Sequence, residues 1–82
     1  MINISVKLFA IFQETYQQDK ISLQLEPTAT VKTLADYIFR QHPELEQWRS
    51  VTRYGVNMNF VDENTVLQDG DEVVLIPPVS GG

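Results

Sequence analysis

The sequence predicts an α+β domain in which one main helix packs across a small mixed sheet. Three observations carry this. Residues 2–10 alternate apolar and polar side chains, residues 31–39 repeat apolar ones at helical spacing, and Val73-Val74-Leu75-Ile76 forms a last apolar run before the chain ends. Eighty-two residues make one domain with a modest core. The expected division is a folded unit over residues 1–76 and a flexible C-terminal tail over 77–82.

Ile2, Ile4, Val6, Leu8 and Ala10 alternate with Asn3, Ser5 and Lys7, the period of a half-buried strand with its even residues inward. Phe9 breaks the pattern by falling on the polar side. A ring placed there is either covered by another part of the chain or reserved for a partner. Residues 11–20 lack alternation. Ile11, Phe12, Thr15 and Tyr16 share one face of a helical turn, so this stretch reads as a short helix or a long hairpin loop. Ile21, Leu23 and Leu25 then face inward from a second strand, with Ser22, Gln24 and Glu26 outward, and Pro27 ends it.

Thr30 is placed to cap the main helix. Val31, Leu34, Ala35, Ile38 and Phe39 form its apolar stripe. Asp36 and Arg40, four apart, are expected to pair on its surface, and Pro43 stops the helix near His42. Leu45 and Trp48, three apart, plug one end of the core from a single turn. One or two strands are expected between Ser50 and Val61, over residues 51–54 and then 56–61, with a bulge or bend at Gly55 and a turn near Asn57. Asp62-Glu63-Asn64 and Gln68-Asp69-Gly70-Asp71 read as turns, and Glu72 to Ile76 as a final strand, apolar on both faces.

Composition excludes several classes of function. Eleven acidic residues stand against six basic ones, for a net charge of −5. Phosphate binding needs a basic surface, so nucleic acid is not the expected partner; a partner with a basic face is. With no cysteine there is no disulfide, thiol nucleophile or thiolate metal site. The chain opens straight into a strand pattern without the basic segment and apolar run of a signal peptide, and no apolar stretch approaches the ~20 residues of a membrane span. A cytoplasmic location is expected.

Enzyme chemistry finds few residues to use. His42 is the only histidine and sits at a helix C-terminus, where an imidazolium complements the dipole. Ser80 has no histidine near it in sequence. Asp69-Gly70-Asp71-Glu72 lacks calcium-loop spacing and reads as a solvated turn, so no metal site and no bound cofactor are expected.

The end of the chain is different. Pro77-Pro78 favours an extended exit from the last strand, followed by Val79 and Ser80. Gly81-Gly82 then removes all side chains, so the tip fits a channel too narrow for other dipeptides. Six extended residues reach at most roughly 20 Å. The Gly82 carboxylate is the one group on this arm that can be activated as an acyl-adenylate. A chain without catalytic residues but with such an end suggests a carrier or a tag. Phe9, Phe60, Val74 and Ile76 are candidates for an apolar docking face beside it, unless they close an ordinary core.

Laid out in this way, the chain resembles the small subunit of molybdopterin synthase, the MoaD family of ubiquitin-like sulfur carriers. The likeness spans essentially the whole length. It is carried by Val6-Lys7-Leu8-Phe9-Ala10, by the helix led by Thr30-Val31, by the pair Val56-Asn57, and above all by Leu67-Gln68-Asp69-Gly70-Asp71-Glu72-Val73 running on to Pro77-Pro78-Val79-Ser80-Gly81-Gly82. The last block is highly specific; the earlier ones are weak alone. The resemblance implies a β-grasp fold. It implies that an ATP-dependent adenylating enzyme activates Gly82, which then becomes a thiocarboxylate. The loaded tail would enter the pocket of the large synthase subunit and give its sulfur to a pterin precursor, building the molybdopterin dithiolene. The assembly would be a heterotetramer with its catalytic side chains on the large subunit, making this chain a sulfur-donor subunit. Positions matching the family's apolar interface are Phe9, Phe60 and Ile76.

One departure stands out. Many relatives carry an Arg-Glu pair where this chain has Gln13 and Glu14, which puts in doubt any contact that depends on the arginine. Two alternatives use the same ending. A thiamine-pathway sulfur carrier shares the fold, but such chains usually have a tighter first hairpin and lack Pro77-Pro78. A ubiquitin-like modifier would be joined to lysines and leave covalent conjugates in cells. A third alternative, of another class, is a plain interaction domain with an idle tail.

Overall fold

The computed structural model describes residues 1–78. Strand β1 (Ile2–Leu8) leads into a short helix α1 (Ile11–Tyr16), strand β2 (Lys20–Leu25) and the main helix α2 (Val31–Gln41). A 3₁₀ segment over Pro43–Val51 follows, then β3 (Arg53–Val56), β4 (Asn59–Val61) and β5 (Glu72–Ile76). The strands form one five-stranded mixed sheet in the order β2-β1-β5-β3-β4. The first strand in sequence and the last are parallel neighbours at its centre, with antiparallel partners outside them. This is the β-grasp arrangement that the resemblance implies.

Alternation decides which face of the sheet is covered. Ile2, Ile4, Val6 and Leu8 are buried along β1, as are Val73 and Leu75 along β5. They meet the α2 stripe Val31, Leu34, Ala35, Ile38 and Phe39, all buried. Phe12 of α1 is fully buried and packs edge-on against Phe39, with ring centroids 6.0 Å apart. Leu45 is buried and Trp48 packs against the same core, so the 3₁₀ segment closes one end as expected. Thr30 caps α2 reciprocally with Thr33: its hydroxyl accepts the Thr33 N–H, and the Thr33 hydroxyl accepts the Thr30 N–H. Two of the helix's free donors are thereby satisfied.

Four details differ from the sequence expectation. Strand β1 ends at Leu8. Ala10 is exposed, with φ 50°, and stands at the entrance to α1. Val51 belongs to the 3₁₀ segment, and β3 begins at Arg53. Gly55 is no bulge, since it pairs in register with Phe60 on one side and Val74 on the other. The turn lies beyond it, at Asn57 and Met58, both with positive φ. Asp36 pairs with Arg49, and more loosely with Lys32 at 3.7 Å, rather than with Arg40. The 3₁₀ segment brings Arg49 back across α2, and its guanidinium also lies over the Phe39 ring.

Candidate functional site: the base of the C-terminal arm

Strand β5 delivers the arm, and the turn before it fixes where β5 lies. Asp69 accepts the backbone N–H of Asn3 through its side chain (2.7 Å), and the Gly70 N–H donates to the Asn3 carbonyl (2.8 Å). Asp71 accepts the Gln68 N–H through one carboxylate oxygen and the Asn57 side-chain amide through the other, each at 2.8 Å. The Asn57 side-chain oxygen accepts the Glu72 N–H, and the Asn57 N–H donates to the Glu72 carbonyl. Gly70 turns the chain at φ 88°, a left-handed value that favours glycine. These bonds tie the start of β5 to β1 and to the β3–β4 turn. The acids that read as a solvated turn are therefore a clamp on the start of β5. Val56-Asn57 and the Asp69-Gly70-Asp71 block, far apart in sequence, act together.

From Ile76 the chain passes into Pro77, half-buried, and Pro78, exposed. Both line a groove of about 850 Å³ whose walls include Phe9, Ile11, Trp48, Val74 and Ile76. The predicted residues Phe9 and Ile76 thus come together at the foot of the arm. Phe9 is 42% exposed and is not part of the buried core. The β1–α1 junction holds it: its carbonyl accepts the Phe12 N–H at 3.1 Å, and the Lys7 ammonium stands 5.7 Å from its ring centroid. Trp48 is the wall residue that the sequence reading missed, because its spacing from Leu45 marks it only as core. It serves both, and its buried indole N–H has no acceptor among the described residues.

Phe60 lies elsewhere. It is 75% exposed on the edge strand β4 and lines a second recess, of about 700 Å³, with Arg53, Tyr54 and Glu63. Pairing through Gly55 still sets it on the same sheet face as Val74, because directly opposed residues share a face. The candidate face is therefore one surface with two hollows. Gln13 and Glu14 are exposed on α1, and Glu14 borders the groove. The expected roles of Val79, Ser80, Gly81 and Gly82 fall outside the described residues.

Charge is concentrated beside the second recess. Arg49 bonds Asp36 and approaches Glu63 at 3.8 Å. The hydrogen bond from Arg49 holds the Asp36 carboxyl below the usual range, helped by the positive charge nearby. Burial, with Glu63 alongside, pushes the Tyr54 phenol up to about 12, and its hydroxyl donates to Glu63 at 3.3 Å. His42 packs edge-on to Tyr16, with ring centroids 4.5 Å apart, and has Glu44 at 3.7 Å; it does not line the groove. Among the described residues no group of three or more His, Cys, Asp or Glu side chains is placed to hold a metal ion. Among them, too, no helix is long and apolar enough to cross a membrane.

The groove offers apolar shape and an arm, not an acid–base pair, and comparison with known proteins says which family builds this. Residues 6–82 match the ThiS family. This chain belongs to the ThiS family. It is similar to a molybdopterin synthase sulfur carrier subunit of Arabidopsis thaliana, with 30% identity over 81 residues, covering 99% of this chain and 84% of the relative. Among solved structures, this ThiS-family chain resembles the small archaeal modifier protein SAMP1 of Haloferax volcanii, with a TM-score of 0.82 and 28% identity over 98% of this chain and 99% of that one. It also resembles a chain in the complex of subunits 1 and 2 of the molybdopterin-converting factor of Helicobacter pylori, with a TM-score of 0.68 and 27% identity over 99% and 100%.

Proposed function

We propose that this ThiS-family chain is a cytoplasmic sulfur carrier, the small subunit of a molybdopterin synthase. The observation that carries the reading is a family match that runs through residue 82, on a chain whose central strand leads directly into Pro77-Pro78-Val79-Ser80-Gly81-Gly82. The folded unit is residues 1–76 and the arm is 77–82.

A carboxylate is a poor acyl donor because oxide is a poor leaving group. An ATP-dependent adenylating enzyme joins the Gly82 carboxylate to the AMP portion of ATP with release of pyrophosphate, and a sulfide-level nucleophile then displaces AMP to leave a thiocarboxylate. Two glycines let this terminus thread a narrow channel into the large synthase subunit. There the thiocarboxylate sulfur bonds to the pterin precursor, and water cleaves the acyl–sulfur bond, leaving the sulfur on the precursor and regenerating the carboxylate. Phe9, Ile76 and Phe60 dock the large subunit, in an assembly of two small and two large chains. The catalytic side chains belong to the large subunit, and this chain is the sulfur donor. It takes no cofactor of its own; ATP is consumed by the activating enzyme.

Adding one residue after Gly82 tests this, because the reactive carboxylate is displaced while the folded unit is untouched. The extended chain should unfold at the wild-type temperature and support no molybdopterin formation. Normal product from an extended chain whose mass shows it unprocessed would rule the mechanism out.

A second reading, a ubiquitin-like modifier, is favoured by the likeness to SAMP1. Covalent conjugates between Gly82 and protein lysines in cells would select it.

A further inference from the structure

Charge is unevenly distributed over this acidic chain. Eleven acidic residues stand against six basic ones, yet three of the six, Lys7, Lys20 and Arg53, lie on one face of the sheet. Strand pairing places them there. Lys7 is opposite Lys20 on one side and Val74 on the other, and Arg53 is opposite Ile76. Directly opposed residues share a face, as do residues two apart along a strand. All three cations therefore lie with Val74 and Ile76 on the side turned away from α2, and each is exposed. The strands add a single acid to that side, Glu72.

The arrangement is locally unfavourable. Like charges directly opposite on neighbouring strands repel, and of the Lys7–Lys20 pair only Lys20 has a carboxylate nearby, that of Glu72 at 3.9 Å. Lys7 lies over the Phe9 ring instead. Among the described residues neither Lys7 nor Arg53 makes an ion pair. Acids return at the borders of the face, Glu14 beside the groove and Glu46, Asp62 and Glu63 in the recess with Arg53. Of these, Glu63 is held by Arg49 and Tyr54, and Asp62 accepts the Asn64 N–H. The other three cations belong to α2 and the 3₁₀ segment, where Lys32 and Arg49 pair with Asp36.

We infer that Lys7, Lys20 and Arg53 are docking residues that frame the apolar face with positive charge and select a large synthase subunit whose matching rim is acidic. The inference rests on the function proposed above and adds the charge of the partner's surface to it. Net charge alone points to a partner with a basic face, but the docking face carries the opposite sign. Lys7 and Lys20 stand on the β2 side of Val74, and Arg53 stands on the β3 side of Ile76. A partner seated on Val74 and Ile76 thus meets a cation on either flank. Complementary charge at such a rim governs encounter rate and choice of partner more than final tightness.

The test measures the association rate of the full chain with the large subunit at about 50 and about 500 mM salt, with thermal unfolding of each variant alongside. The variants are Lys7→Glu, Arg53→Glu and, as a control away from the face, Lys32→Glu, which changes net charge equally. Wild-type association should slow by about tenfold or more at the higher salt. Lys7→Glu and Arg53→Glu should each slow it by about fivefold or more at the lower salt and flatten the salt dependence, while Lys32→Glu stays within about twofold of wild type. Lys7→Glu should unfold at or above the wild-type temperature, because a repelling cross-strand pair becomes an attracting one; slower association then cannot be assigned to a damaged fold. If Arg53→Glu prevents folding, Lys7→Glu and Lys20→Gln carry the rate measurement. Association that is unchanged or faster at high salt overturns the inference, and so does an equal slowing by Lys32→Glu, which would make net charge the cause. A wild-type chain that binds the large subunit at neither salt defeats the function itself, a pattern distinct from both, and the acidic rim falls with it.

Discussion

Phe60 and Tyr54 bound one recess and serve opposite ends. Phe60 is 75% exposed, and an aromatic ring held open to water beside a hollow has the character of an interface anchor. Phe60→Glu should leave the unfolding temperature close to wild type and weaken large-subunit binding by about tenfold or more; unchanged affinity removes Phe60 from the docking face. Tyr54 is buried and structural. Its phenol titrates near 10 in the unfolded chain and at about 12 in the folded one. The neutral form is thus favoured by folding, a stabilisation that is fully present below pH 10 and is lost as pH rises towards 12. Tyr54→Phe should remove about 2–3 kcal/mol of that alkaline loss, seen as a shallower decline of denaturant stability between pH 10 and 12. Equal declines would show that Tyr54 ionises freely. Phe9 was legible in the sequence because it broke an alternation. The pairing of Asp36 with Arg49 was not, because local spacing offers Arg40 and only the fold brings a residue thirteen positions away across the helix.

The elements were legible where one physical rule dominates. The α2 stripe and its start follow from apolar period and one capping hydroxyl, and β1, β2 and β5 follow from alternation or an apolar run. Thr30→Ala removes one arm of the reciprocal cap and should lower stability by about 1 kcal/mol, read from the midpoint of urea unfolding; no change would mean that water replaces the hydroxyl at no cost. Where rules compete, the reading was coarser. Gly55 suggested a bulge because glycine often marks one, but the bend belongs to Asn57 and Met58, and Gly55 is held flat by strands on both sides. Asp69, Asp71 and Asn57 look like turn formers one at a time. Their joint action, clamping β5 to β1 and to the β3–β4 turn, appears only once the turns are neighbours in space.

At the scale of the whole molecule, the fold sets its last strand between the others and opens a groove at that strand's end. The sheet places its last strand at the centre, two turns lock the start of that strand, and the groove at its end gathers Phe9, Trp48, Ile76 and the two prolines. The sequence could point to the arm directly, because a Gly-Gly end after two prolines on a chain with one histidine and no cysteine leaves little else for chemistry. It could not show that Phe60 and Ile76 lie on separate hollows of one face, since that depends on which strands are neighbours. The most direct measurement is the mass of the C-terminal fragment after the chain meets ATP, a sulfur source and the cell's activating enzymes. Cleavage after Glu72 releases Val73 to Gly82, which contains no methionine, so exchange of oxygen for sulfur cannot be confused with methionine oxidation. The account predicts a fragment in which one oxygen is replaced by sulfur, and which reverts when the pterin precursor and large subunit are added. An unmodified fragment from a mixture that loads another sulfur carrier would contradict it.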